Sequence, residues 1–524
     1  MNDLNLQTKS RPRVAIIGSG PGGLAAAKFL KQHGFEPVLF EQTDALGGQW
    51  NARSSHSGVW PSMVTNTSRF LTCFSDLAPD PATPIFPSNR EIHAYLERYA
   101  AKFDILSRIR DQTRVEWIER DPGSSDWVIR SNGVEERAEA FPYVVVASGR
   151  FTKPMIPRLP GLESFCGPGG VLHSFQYKHP ESFRGKRVLV MGCAISALEI
   201  ASDLAMLGAA RVVSTFRRQR YVVQKLVGGV PIDALALTRF AALSAEVTPP
   251  EALGQTMQDY ILRVFGSPEQ FGALRPAGDF AQVGRALSQH FLPLVAEGRI
   301  VIKPWVSDIQ GHNVRFCDES LEAFDAIILG TGFELSLPFL SPEIRSTLDL
   351  DAQHADLYKF TFHPDLAGLA FLGLWEQTGP YFPPLELQAR WITYAWSGIR
   401  PLPSPDQMKA GIASYQSKRE GSQLQSMHLV ALLFAREAGA EPDLRQWPQL
   451  ARALLFGPLS AVSFRLSGPD SLPEAEERIA AEAKSLGTVL SPEFSGEQVA
   501  QLRNLAKARK EPEFAEFVDR IASS

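Results

Sequence analysis

The sequence predicts an α/β protein with two Rossmann-like dinucleotide-binding domains, the second inserted in the first, joined by a helical insertion and a helical C-terminal tail. The same strand, glycine-rich turn and helix occur at residues 13–41 and recur at 187–218 as an internal repeat. Helical patterns then fill much of 225–300 and 406–510. A length of 524 residues suits two to four domains, and 44% hydrophobic with 21% charged residues is globular composition.

The first repeat reads RVAIIGSGPGG from Arg13. Val14 to Ile17 form an apolar run expected to be a buried parallel strand. It enters Gly18-Ser19-Gly20-Pro21-Gly22-Gly23, a GxGxxG turn, and an alanine-rich helix that stops at Gly34. A second strand, PVLF, ends at Glu41. Gly18 would make the tight turn, Gly20 would admit a pyrophosphate, and Gly23 would let helix and strand pack closely. The helix N-terminus offers N–H donors to phosphate. Glu41, 18 residues beyond the last glycine, is placed to accept both ribose hydroxyls. The competing reading is a glycine turn with no ligand; the strand, helix and acid together weigh against it.

In the second repeat a strand ends at Gly192, a helix runs from about Ser196 to Leu207, and Gly208 stops it. The middle glycine position is Ala194, whose methyl should push a pyrophosphate slightly outward. The next strand ends in Arg217 and Arg218 where the first repeat has Glu41. An acid suits a free 2′-hydroxyl and arginines suit a 2′-phosphate, so the first site reads as FAD and the second as NADPH. The bland alternative for the arginine pair is a solvated turn.

A net charge of -4 excludes broad attraction to nucleic acid or anionic membrane. Cys73, Cys166, Cys193 and Cys317 form no CxxC pair and no metal-ligand spacing. A reduced flavin therefore has no dithiol to reduce, and its acceptor is O2 or a small molecule. The N-terminal MNDLNLQTKSRPR has no apolar signal region, and no stretch approaches a membrane span.

The chain resembles the flavin-containing monooxygenases over nearly its whole length. Gly47-Gly48-Gln49-Trp50 resembles the family's GGxW turn. Thr65-Asn66-Thr67-Ser68 with Ser75-Asp76 resembles its TNTS…SD segment. Ala147-Ser148-Gly149 and Gly330-Thr331-Gly332 resemble its two ATG-type turns. Phe382 to Trp391 and Phe464 to Pro469 resemble later family segments. The resemblance implies cofactor-binding roles for Gly18, Gly20, Pro21, Gly22, Gly23, Glu41, Gly48, Gln49, Trp50, Thr65, Asn66, Val115, Ala147, Ser148 and Gly149. It implies the same for Gly192, Ala194, Ser196, Arg217, Arg218, Thr331 and Gly332, with no metal.

The family fingerprint FxGxxxHxxxY/F is altered. Gly169, His173 and Tyr177 keep their spacing, but Phe165 lies two residues too early. Glu376 stands where many relatives have glutamine. It reads either as a carboxylate near substrate or as a loop surface charge. His173 could be a general base, but a linker role fits the fingerprint better. Cys73 reads as a packing residue. Asn66 reads as a turn residue, a glycosylation sequon or, through the TNTS resemblance, the catalytic amide.

The activity implied is that of an NADPH- and O2-dependent flavin monooxygenase forming a C4a-(hydro)peroxyflavin and passing one oxygen to a nucleophilic nitrogen or sulfur. Baeyer–Villiger insertion beside a carbonyl or imine carbon is the first alternative. Tyr177-Lys178, where that fingerprint carries Trp-Pro, argues against it. An electron-transfer or redox-sensing flavoprotein is the second. The expected organisation is an FAD domain at 1–165 and 325–400, an NADPH domain at 166–324 with a helical insertion at about 225–300, and a mostly helical region at 401–524. Expected partners are a small-molecule substrate and O2, with no nucleic acid or membrane anchor, a homodimer left open, and a cytoplasmic location.

Overall fold

The computed structural model describes residues 11–133, 136–419 and 424–523. The polar segment at residues 1–10, read above for targeting, lies outside them. In chain order the strands that build the two parallel sheets are β1 (Arg13–Ile17), β2 (Glu36–Phe40), β3 (Ile109–Arg110), β4 (Tyr143–Val146), β5 (Gly170–His173), β6 (Arg187–Met191), β7 (Arg211–Thr215), β8 (Ile300–Lys303), β9 (Ala326–Leu329) and β10 (Leu369–Phe371). The first sheet has the order β10-β4-β1-β2-β3 and the second β8-β7-β6-β9-β5. Each central strand is an almost wholly buried run, as a sheet covered on both faces requires. Register matches between the units: Val14 pairs with Pro37 and Tyr143, and Val188 with Val212 and Ala326.

The repeat goes deeper than the motif. In each unit a three-stranded antiparallel ribbon precedes the strand that returns to the crevice. In the first it is Arg114–Arg120, Trp127–Asn132 and Glu136–Phe141. In the second it is Val306–Gln310, Asn313–Phe316 and Leu321–Ala323. Helix α1 (Pro21–Gln32) follows β1, and α2 (Asn89–Lys102) is held by a Ser88–Glu91 capping box. Helix α3 (Ile195–Leu207) follows β6 and ends at Gly208 in the left-handed conformation.

One expectation is overturned in detail. The stretch from Phe280 to Gly298 has a long helical pattern, yet it forms helix Phe280–Val283, strand Arg285–Leu287 and helix Phe291–Ala296. Gly284, at φ +67°, breaks the first helix, and residues 285–287 pair in parallel with Tyr221–Val223. A tertiary pairing has overridden local helical pattern. Likewise PDSLPEAEERIAAEAKSLG has the pattern of a capped, amphipathic helix; the helix forms at Ala475–Ser485, but Glu474 before it makes no side-chain cap. The later helices do not stand apart. Phe382–Trp396 (α4) and Met427–Ala438 (α5) share one apolar core with α1 and α2.

Candidate functional site

The carboxyl ends of both parallel sheets open into one cleft of about 1740 Å³, well above the ~300–1,000 Å³ of an ordinary ligand pocket. It has room for more than one ligand. Its first end is the turn after β1. Gly18 takes φ +106°, and a Cβ there would come within 2.7 Å of the Ala147 oxygen. Gly23 faces away from the cleft: a Cβ would lie 2.0 Å from the Gly18 oxygen, so this glycine lets the helix pack rather than lining the site. Neither α1 nor α3 carries a side-chain N-cap, so their first N–H groups stay available to an anion.

Glu41 is buried at the end of β2. Its Oε2 accepts from the Ser19 amide at 3.0 Å and Ser19 Oγ at 2.7 Å. Its Oε1 accepts from the Thr43 amide at 3.0 Å and Thr43 Oγ1 at 2.9 Å. Both hydroxyls can rotate to yield to ribose while the amides hold the carboxylate still. The Thr113 amide donates to the Glu41 carbonyl at 2.8 Å, which brings Val115 to the same end. Gln49 is fixed at both ends of its amide, donating to the Phe151 carbonyl at 2.8 Å and accepting from the Gly58 amide at 2.7 Å. This sets the turn carrying Gly48 and Trp50 against the cleft.

Of the residues expected to bind cofactor, Gly18, Gly20, Pro21, Gly22, Glu41, Gly48, Gln49, Trp50, Asn66 and Val115 line this cleft, with Ala147, Ser148 and Gly149. So do Gly192, Ala194, Ser196, Arg217, Arg218, Thr331 and Gly332. Thr65 does not. It is buried behind the loop and donates to the Thr67 carbonyl at 2.8 Å, shaping the turn that presents Asn66. Asn66 Oδ1 is itself buried with no hydrogen-bond partner, as is Ser148 Oγ. Orphaned acceptors on a cleft wall await a ligand donor.

The insertion reaches this loop twice. Lys225 Nζ donates to the Thr65 carbonyl at 3.2 Å, and Asp233 accepts from the Ser68 amide at 2.6 Å. Burial pushes the Asp233 carboxyl up to about 6. The two contacts bracket Asn66. Sequence reasoning missed both, because neither residue belongs to a recognisable turn.

The weighed residues resolve by geometry. Both nitrogens of His173 serve backbone: Nδ1 accepts from the Phe175 amide at 3.2 Å and Nε2 meets the Gly332 carbonyl at 3.0 Å. Burial lowers its pKa further, which leaves it holding the linker rather than acting as a free base. Tyr177 donates to Asp203 at 3.1 Å, and Ser62 donates to the same oxygen at 2.9 Å, joining linker, α3 and the 51–64 loop. Lys178 donates to the Ser57 and Val59 carbonyls, both at 2.6 Å, and burial lowers it to about 8. Glu376 lines the cleft and accepts from Arg150 Nε at 3.1 Å; Arg150 is buried and also bonds the Leu374 and Gln353 carbonyls. Cys73 is buried packing, its thiol pushed up by burial. Arg220 joins Arg217 and Arg218 on the cleft, a third arginine not singled out from sequence.

Comparison with known proteins agrees with this architecture. The family model described as Flavin-binding monooxygenase-like matches residues 11–497. The rat protein named dimethylaniline monooxygenase [N-oxide-forming] 2 is 35% identical, covering 89% of this chain and 91% of that protein. A crystal structure of cyclohexanone monooxygenase with ε-caprolactone superposes with a TM-score of 0.64 at 18% identity, covering 82% and 97% of the two chains. S-allyl-L-cysteine S-oxygenase from Allium sativum gives 0.56 at 20%, covering 98% of each. These structural likenesses speak to the fold, whereas the sequence match is long and specific enough to speak to descent: the chain belongs to the flavin-binding monooxygenase-like family.

Proposed function

We propose that the cleft carries out one oxygenation, with FAD at the first crevice, NADPH at the second and a small organic substrate beside Asn66. As a family member the protein is an NADPH- and O2-dependent flavin monooxygenase. When bound, the flavin supplies hydride acceptance from NADPH and activation of O2. One oxygen atom goes to substrate, and the other leaves as water with the two electrons of NADPH and a proton.

The chain's own residues bind, orient and shield. Glu41 orients the first ribose, and the uncapped N-termini of α1 and α3 balance pyrophosphate. Arg217 and Arg218, exposed at the end of β7, take the 2′-phosphate. Asn66 turns its orphan Oδ1 to accept an N–H or O–H in the cleft, and its amide N–H2 donates in return. Trp50, Phe151, Phe333 and Tyr381 line the walls and reduce access of water to the reacting atoms.

We place the oxygen on a nucleophilic nitrogen or sulfur. Support comes from Tyr177-Lys178 in the linker and from similarity to an N-oxide-forming protein. The observation that carries the reading is the unpartnered Asn66 amide on a cleft shared by both crevices. Purified protein supplied with NADPH and 18O2 is offered amines, sulfides and ketones, and products are identified by mass. N-oxide or sulfoxide with one labelled oxygen is expected; an ester from the ketone as the main product would overturn the assignment. Among the described residues no helix is long and apolar enough to cross a membrane. A cytoplasmic location belongs to the same proposal, supported by four unpaired cysteines, and cell fractionation tests it. Sedimentation tests a homodimer.

A further inference from the structure

Arg285 on the cleft wall, like Arg217, Arg218 and Arg220, has no counter-charge among the described residues. Arg285 opens the strand Arg285–Leu287, in register with Tyr221, and its partly exposed side chain lines the cleft. Among the described residues its guanidinium makes no hydrogen bond or ion pair. Burial alone acts on its guanidinium, pulling it below the ordinary arginine range, with no carboxylate acting in the other direction. Arg150, Arg239 and Arg465 face carboxylates, Glu376, Glu441, and Asp76 with Glu386, while buried Arg390 bonds the Phe464 carbonyl. A guanidinium partly withdrawn from water without a partner is destabilising, so the complement is expected from a ligand.

The neighbours do not neutralise it. His428 is buried with Nδ1 unpartnered, and burial first, then Arg285, lowers it to about 4. It is neutral at physiological pH. Glu199 on the cleft wall faces Lys225 at 3.5 Å. Two chain paths meet near Arg285. His428 follows strand Gln425–Ser426, which pairs with Gln377–Thr378, and Gln377, Thr378 and Tyr381 line the cleft there. Strand Tyr221–Val223 leads from Arg217 and Arg218 towards Lys225, which reaches the Asn66 loop. Arg285, opposite Tyr221, lies along that path one position past Arg220.

We propose that Arg285 recognises an anionic group, a carboxylate or its equivalent, on the substrate, so that the preferred amine or sulfide is an organic acid. This rests on the oxygenation proposed above.

The holoenzyme is tested with a matched pair, thioanisole and para-(methylthio)benzoate. Sulfoxide formation gives kcat/KM, and quenching of protein fluorescence without NADPH gives binding. The wild type should favour the acid by about tenfold or more, as a charge-assisted pair would. Arg285→Ala should abolish that preference in both readouts, Arg285→Lys should retain part, and Arg285→Glu should reverse it. FAD content checks that each variant is folded. If Arg285→Ala keeps the preference, or raises KM for NADPH instead, the anion site is overturned. Equal oxygenation of both sulfides by the wild type also overturns it and leaves the oxygenase reading intact. If neither sulfide is oxygenated while acid binding still depends on Arg285, the anion site stands and the S-oxygenation reading falls. If acid binding too is independent of Arg285, both fall.

Discussion

Gly23 and Ala147 in the first unit occupy the places of Ala197 and Gly330 in the second. In the first, a methyl at position 23 would strike the Gly18 oxygen at 2.0 Å, so helix and strand are as close as glycine allows. In the second, the helix already carries the Ala197 methyl, and the space comes from Gly330, where a Cβ would sit 2.6 Å from the Ala197 Cβ. Gly330→Ala should therefore cost about 1–3 kcal/mol, and Ala197→Gly in the same chain should recover part of it. Chemical denaturation of the four members of the cycle measures the coupling; additive effects would refute the trade. Asn66 carries the second residue-scale prediction. Asn66→Ala leaves the Glu41 carboxylate and its four donors untouched, so FAD content should stay at wild type. Losing a hydrogen bond in an enclosed site should lower product formed per NADPH consumed by about ten- to hundredfold, with hydrogen peroxide released instead. Tight coupling in this variant would reduce Asn66 to a turn residue.

Elements place charges that single residues cannot. Strand β7 ends by delivering Arg217 and Arg218 to the cleft mouth, with Arg217 stacked 5.0 Å over Trp305. Replacing both by alanine should raise KM for NADPH about tenfold or more with kcat preserved at saturation, and should narrow the preference over NADH. Steady-state kinetics with both coenzymes decides this. The helix Ala475–Ser485 makes a different demand, because it buries Glu482. Ser460 Oγ donates to that carboxylate at 2.6 Å, yet burial pushes it up to about 7. The native state thus binds this proton more tightly than the unfolded chain. Its stabilising contribution is complete below about pH 4.5 and is lost as pH rises through about 7. Glu482→Gln keeps an acceptor for Ser460 without the charge. It should be more stable than wild type at pH 8 by about 1–3 kcal/mol, with a flatter dependence of Tm on pH between 5 and 8. A wild-type profile unchanged by the substitution would reject this account.

At the scale of the whole molecule, the C-terminal region is built into the first unit. Arg465 pairs with Asp76 at 3.0 Å and Glu386 at 3.3 Å, and Asp76 pairs with Lys28 of α1 at 2.9 Å. All four are buried, and the Ser75 amide donates to Glu386 at 2.7 Å. Arg465→Leu leaves two buried carboxylates short of a partner and should cost about 3–5 kcal/mol, with loss of FAD on gel filtration. Removing residues 401–524 should yield no folded flavoprotein; a soluble, FAD-loaded fragment would show that the tail is dispensable. These residues were visible in the sequence only as scattered segments that resemble a family. What the sequence by itself determined is the local grammar: β1, α1 and β2 with Glu41, their repeat with Arg217 and Arg218, and Asn66 within its TNTS turn. Each is written in neighbouring residues, because a tight turn, a helix start and a strand end depend on contacts a few positions apart. Only the tertiary structure decided that 285–287 is a strand, that Glu376 meets Arg150, that Lys225 and Asp233 bracket Asn66, and that Arg285 faces the cleft with no ion-pair partner among the described residues. Those depend on which distant segments share one buried space, and burial and pairing over such separations leave no periodicity for a sequence to show.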